Sequence, residues 1–385
     1  MAKPLCTYLF LAVVCSAWMP VPALSQSARW EGQASLWGIL NDTDSINAQF
    51  ATRYITGLDI SRQLGSSVSA DVYVAANAYL ESRFNHGYLS RGSEEVSDVA
   101  LYRCYARLAL SNADLRIGLQ RLNFGSAVLL RPLRWFDGLD PRDPMRFSEG
   151  VYGALLRVFL NNNANLWLWG LYGNDEVKGW EVVPTREHRG EWGGRIQYPV
   201  WTGELALTYH RRIVDISSLL QPGLPVRPDL PTEHRYAFDM RWDIEIGFWT
   251  EIVVVDRNGQ LPLSRWQRFI NVGADYTLGI GNGVRVTGEY FEIGEPPEPF
   301  SSSNPAQFVA GSMDYLLGIA DGVRCILYRD LKRRDSYTFL AWTHTLDNWQ
   351  FSLNGFWNPP ASFLDYDSGN MMAGRGIQIT ATFNH

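Results

Sequence analysis

Lysine and cysteine are scarce in this chain of 385 residues, and long hydrophobic runs are missing after its start. Lys3, Lys178 and Lys332 are the only lysines, so nearly all positive charge is arginine. Of the 4 cysteines, only Cys104 and Cys325 lie beyond the first 25 residues. That number excludes a small secreted fold stapled by several disulfides. No later stretch reaches the ~18 uncharged apolar residues of a membrane-spanning helix. The histidines His86, His188, His210, His234 and His344 form no His-Glu-x-x-His spacing, and no Gly-x-Ser-x-Gly elbow occurs. The sequence therefore predicts no metal, no cofactor and no enzymatic activity.

What is present is an export signal and many aromatic residues. Lys3 opens a positively charged segment, Tyr8 to Val14 is apolar, and Pro20 and Pro22 precede Ala23-Leu24-Ser25. This pattern predicts a signal peptide over residues 1–25 and one mature domain over 26–385. The residues before Cys15 are Val13 and Val14, without the small residue of a lipoprotein signal, so no lipid anchor is expected. Removing 1–25 takes away Lys3 and no acid. The mature charge becomes about −7, which argues against a nucleic-acid partner. Aromatics make up 13 % of the chain, including 15 Trp, and mean hydropathy is only −0.16. Apolar residues are thus spread along the chain, as in a sheet with aromatic girdles at two membrane interfaces.

The spread has a period of two. Ala70, Val72, Val74, Ala76, Ala78 and Leu80 alternate with Asp71, Tyr73, Asn77, Tyr79 and Glu81. Ala100, Tyr102, Cys104, Ala106 and Leu108 alternate with Arg103, Tyr105 and Arg107. Tyr236, Phe238, Met240 and Trp242 alternate with Arg235, Asp239, Arg241 and Asp243. This is the signature of strands. Short turns at Gly65-Ser66, Ser111 to Ala113, Asn161 to Asn163, Asp243 to Gly247, Gly279 to Gly283, Asp321-Gly322 and Asp347-Asn348 alternate with long connections. The long ones fall at 82–97, 124–149, 173–189, 212–233, 294–307 and 359–373. Short turns at one end and long loops at the other describe an all-β, antiparallel, up-and-down transmembrane barrel. The count is about eighteen strands, or sixteen if 308–331 is not two strands.

The motifs carry a resemblance. Gly118-Leu-Gln-Arg-Leu-Asn-Phe-Gly125, then Arg131-Pro132 and Asp140-Pro-Arg-Asp-Pro144, resembles a strand-then-loop of porin-like barrels from environmental bacteria. Gly273 to Tyr276, Gly281 to Gly283 and Glu289 to Phe291 resemble a recurrent hairpin of the same group. The final strand, with Ile377, Ile379, Ala381 and Phe383 on one face, resembles the strand read by the barrel-assembly machinery, although Asn384 and His385 follow the aromatic. The resemblance implies a channel of the Gram-negative outer membrane, surrounded by lipid, with a homotrimer as one possible assembly.

Alternation then gives a lumen. Arg103, Arg107, Arg116, Arg157 and Arg195 should point inward on one arc, and Asp71, Glu81, Asp239, Asp243, Glu245, Glu251, Asp275 and Glu289 largely on another. Opposed charges across a wet passage orient polar solutes, though interleaved ion pairs bracing the wall would use the same residues. The long 124–149 loop, with Arg131, Arg134, Asp137, Asp140, Arg142 and Asp143, is expected either to fold inward as a constriction or to cap the rim. His210 and His344 fall on the expected lumen face, unlike the outward serine and histidine of outer-membrane phospholipases. Cys104 and Cys325 fall on the lipid face of distant strands and should stay unpaired. The expected function is passive diffusion of small polar or anionic solutes. The alternative is a non-conducting barrel serving as scaffold, sheath or receptor.

Overall fold

Strands that alternate in character must put one set of side chains on each face of a sheet. A computed structural model of the chain shows how that sheet closes. It describes residues 26–42, 46–86, 91–137, 145, 148, 150–219, 231–258, 263–360 and 372–385, so the expected signal peptide lies outside the described residues.

Eighteen strands follow one another in chain order. They are β1 (Gln26–Asp42), β2 (Ile46–Gly65), β3 (Val68–His86), β4 (Arg91–Ala109), β5 (Ala113–Gln120), β6 (Val151–Phe159), β7 (Asn165–Tyr172), β8 (Gly190–Val200) and β9 (Gly203–Ile213). The second half comprises β10 (Thr232–Asp243), β11 (Gly247–Asn258), β12 (Trp266–Leu278), β13 (Val284–Gly294), β14 (Ala306–Leu316), β15 (Asp321–Asp330), β16 (Ser336–Leu346), β17 (Trp349–Trp357) and β18 (Arg375–Asn384). Each pairs antiparallel with its sequence neighbours, and β18 pairs with β1 from Gln33↔Asn384 to Asp42↔Arg375. The sheet is a closed barrel, and 308–331 is two strands. The backbone pairing continues through His385, which exchanges hydrogen bonds of 3.0 and 2.9 Å with Gly32. The His385 ring lies 4.5 Å from that of Trp30.

The two faces invert the order of a soluble protein. Outward residues include Leu36, Leu207, Leu327, Leu353 and Ile379, all largely exposed. Arginines, glutamates and a histidine are among the most buried side chains. On β17 the outward row runs from Trp349 through Phe351 and Leu353 to Trp357, about 27 Å along the strand at ~3.4 Å per residue. Aromatics at both ends of an apolar row match a membrane band about 25 Å tall.

Three details depart from the alternation. Residue Tyr102 is a bulge, inserted where Ala75 and Ala76 pair with Arg103 and Leu101. Beyond it the outward row continues through Leu101 and Val99 instead of Ala100. The 82–97 segment is mostly strand, since β3 runs to His86 and β4 begins at Arg91. On β16, Ala341 and Thr343 face the lumen, so His344 faces outward beside Trp342, contrary to expectation, and bonds Asp321 at 2.9 Å. That strand carries apolar residues on both faces, so composition does not fix its parity. Cys104 and Cys325 are free and outward-facing as expected, although Val74, Leu119 and Tyr152 cover Cys104.

An outward position at mid-strand should reject charge. Ile379→Arg is expected to cost about 2–4 kcal/mol of folding free energy in lipid. Urea titration of the barrel folded into vesicles, followed by tryptophan fluorescence, reads that loss.

Candidate functional site: the filled lumen

β5 leaves the wall after only 8 residues, at Gln120, and β6 re-enters it at Val151. Between them the described part of the long loop, 121–137, turns into the barrel. Leu122, Phe124, Leu129, Leu130, Leu133, Trp135 and Phe136 are buried in one cluster with wall residues Val253, Phe269, Phe291 and Phe308. Over these residues the loop packs against the inner face of the wall. Asp140, Arg142 and Asp143 lie outside the described residues.

Two wall carboxylates hold the loop by its backbone. Glu251 accepts from the Ser126 and Ala127 amides at 2.5 and 2.8 Å, and from Leu133 at 3.4 Å. Glu289 accepts from Val128, Leu129 and Leu130 at 2.6, 3.1 and 2.7 Å. Asn271 donates to both the Leu130 carbonyl and Glu289, at 2.8 and 3.1 Å. A loop inside a barrel has no ladder of its own, and its buried amides need acceptors. Charge-assisted bonds to carboxylates are among the strongest available. At Gly125, where φ is +100°, a Cβ would stand 2.6 Å from the Glu251 carboxylate.

A second connection, 173–189, packs against the first. Trp180 donates to the Arg131 carbonyl at 2.7 Å, and the Arg134 guanidinium lies 5.0 Å from the Trp180 ring. At Gly179, φ is +54° and a Cβ would sit 1.6 Å from the Arg134 carbonyl oxygen. Below it lies a fully buried charge network. Arg212 reaches Glu181 at 3.0 Å and Glu233 at 2.7 Å. Arg235 bonds the same two glutamates at 2.9 and 2.7 Å, and Arg257 reaches Glu233 at 3.0 Å. Lys178 lies 3.5 Å from Glu191. His210 Nδ1 accepts from Trp169 at 3.1 Å, which leaves Nε2–H to donate to Glu191 at 3.1 Å. Within this group, alternation along the strands marks only His210, on the expected lumen face, and Arg235, in the polar row of its strand. Lys178 and Glu181 sit on a loop, where a period of two gives no guidance.

Most of the residues expected in the lumen are paired. Arg195 grips Asp239 with two bonds of 2.5 and 2.7 Å, and both are buried. Arg107 bonds Asp114 and lies 3.4 Å from Asp71, while Arg116 reaches Asp114 at 3.0 Å. Glu81 is held by Tyr79 and Arg83. Asp275 bonds Arg285 at 2.6 Å, and Asp243 bonds Arg241 at 2.7 Å near the turn. Arg131 bonds Asp137 at 3.0 Å within the loop. Arg157 lies 3.9 Å from the Trp167 ring, and Arg103 lies 4.1 Å from that of Tyr102. Arg103 also donates to the Ser148 carbonyl. Glu245 sits in the exposed β10–β11 turn, outside the lumen, because the strand ends at Asp243.

The lumen is filled on one side. Against the opposite wall, β14–β18, lies a cavity of about 390 Å³. Its loop-side end is framed by Ile326, Phe339, Phe356, Met145 and Met372. Its turn-side lining is Thr343, Gln350, Ser352, Asn354, Thr380 and Thr382, ending at the Asp314–Arg324 ion pair.

Known structures share this architecture. The Acinetobacter baumannii proteins OccAB1 and OccAB2 both align with a TM-score of 0.57, at 8 % and 11 % identity. Each alignment covers 93 % of this chain, and 95 % and 98 % of those chains respectively. Pseudomonas aeruginosa OccK7 (OpdD) aligns with a TM-score of 0.55 at 12 % identity, over 94 % of this chain and 99 % of that one. The fold is that of the outer-membrane porins. No family model and no curated protein matches the chain. At such low identity the likeness to these porins is one of fold, and the lumen chemistry rests on the residues themselves.

Breaking one buried pair should be costly. Arg195→Ala strands Asp239 and is expected to lose roughly 3–5 kcal/mol, whereas the double change Arg195→Met with Asp239→Leu should recover most of it. Denaturant midpoints of the folded barrels measure both.

Proposed function

We propose that this protein is an outer-membrane channel for passive diffusion of small polar solutes, with anions favoured over cations among ions. The observation that carries the reading is the inward loop held by Glu251 and Glu289, which narrows the lumen and leaves a polar cavity along β14–β18. A constriction set on one side of a wet barrel is how a pore selects by size while still conducting. Anion preference is supported by Arg103 and Arg157, whose guanidinium groups rest on rings and form no ion pair among the described residues. The outward row Ile377, Ile379, Ala381 and Phe383 of β18 supports recognition by the barrel-assembly machinery.

The folded chain in a planar bilayer should show discrete conductance steps and a reversal potential displaced toward anions in a salt gradient. Silence at every voltage would overturn the proposal. Arg103→Ala with Arg157→Ala should move the reversal potential toward cations. Glu251→Gln with Glu289→Gln replaces charged acceptors by neutral ones, which are roughly half as strong. The loop is then expected to loosen and the single-channel conductance to rise.

A further inference from the structure

Resting on the channel reading, we infer that the cavity against β14–β18 is a binding subsite for a neutral, polyhydroxylated solute of sugar size. Its volume, about 390 Å³, lies in the range of small-molecule sites, roughly 300–1,000 Å³. The chemistry of its lining differs from the rest of the lumen. Thr343, Gln350, Ser352, Asn354, Thr380 and Thr382 are all neutral, and every one carries a hydroxyl or an amide. Among the described residues, the only two charges in the lining, Asp314 and Arg324, neutralise each other. A charged solute would find no unpaired counter-ion in this lining, whereas a polyol would find both donors and acceptors.

Two observations point to an occupant. Thr380 is almost fully buried and lines the cavity, yet its hydroxyl has no hydrogen-bond partner. Buried polar groups in native proteins are nearly always satisfied, because each orphan carries a desolvation cost. A solute hydroxyl donates and accepts at once, so it suits the Thr380 hydroxyl. The second observation is the end opposite the ion pair. The Phe339 and Phe356 rings border the cavity there. The C–H face of a sugar ring packs on an aromatic face while its hydroxyls turn to the polar lining.

The test uses the full chain in planar bilayers, with glucose, sucrose and the charged isostere gluconate as probes. Glucose or sucrose should reduce the ion current in a saturable way and add current noise, with gluconate much weaker. Each block is normalised to the variant's own probe-free current. Thr380→Val should weaken the sugar block by about threefold to tenfold, the worth of one neutral hydrogen bond. Thr380→Ser should restore most of it, and Leu353→Ala on the outer face should not change it. Thr382→Val provides a second reading if Thr380→Val folds poorly. Equal block in parent and valine variants, or gluconate blocking as well as glucose, would overturn the subsite. A barrel that conducts nothing would refute the channel reading alone. Retention of labelled glucose by the detergent-folded barrel, lost in Thr380→Val, then decides the subsite separately.

Discussion

Hydrocarbon offers no hydrogen bonds, so a sheet within it must satisfy its own backbone, and only closure does that. The β1–β18 pairing is therefore the contact on which everything else depends. It removes the sheet's edges and sends the apolar row of every strand outward. The polar row then has nowhere to go except the interior. A ring of eighteen strands is too wide for facing side chains to fill. The interior must hold water or borrow chain from the loops. Here loop residues fill one side, and a cavity lies against the other.

The filled side shows how a loop becomes a stable wall. Residues 121–137 bring apolar side chains to a surface that offers Phe269, Phe291 and Phe308. Burial of those groups favours entry, but the loop's amides oppose it until they are met. Glu251 and Glu289 meet six of them. Gly125 lets the loop approach one carboxylate, and Gly179 lets the second connection touch the first. The ion network of Glu181, Arg212, Glu233, Arg235 and Arg257 then fixes the second connection to β9–β11. Such a buried network is costly to disrupt, which gives the plug a defined position rather than a high intrinsic stability.

Much of this was legible in the sequence, and the failures have physical causes. Alternation revealed the strands, their count and the inward placement of Arg195, Asp239, Glu251 and Glu289, because pleating converts parity into side. It missed the Tyr102 bulge, since one extra residue leaves no compositional mark. It misplaced His344 because Leu340 and Phe339 are equally apolar on the two faces of β16. The expected separation into positive and negative arcs holds as a list of positions but not as electrostatics. Asp114 sits between Arg107 and Arg116, and Asp239 opposes Arg195 across two strands. Pairing depends on inter-strand register, which the pattern along one strand does not contain. Glu251 and Glu289 look like any lumen acids in sequence, yet their partners are backbone amides over a hundred residues away.

The same logic explains why the other wall stays clear. A loop can settle only where the wall supplies acceptors strong enough to replace water on its amides. β11 and β13 supply carboxylates at mid-height, while β16, β17 and β18 present threonine, serine, asparagine and glutamine there. Neutral acceptors exchange water for backbone at little net gain. They do not capture a loop. The asymmetry of the lumen therefore follows from where the wall places its mid-height glutamates, and the cavity lies where β16, β17 and β18 present neutral groups instead.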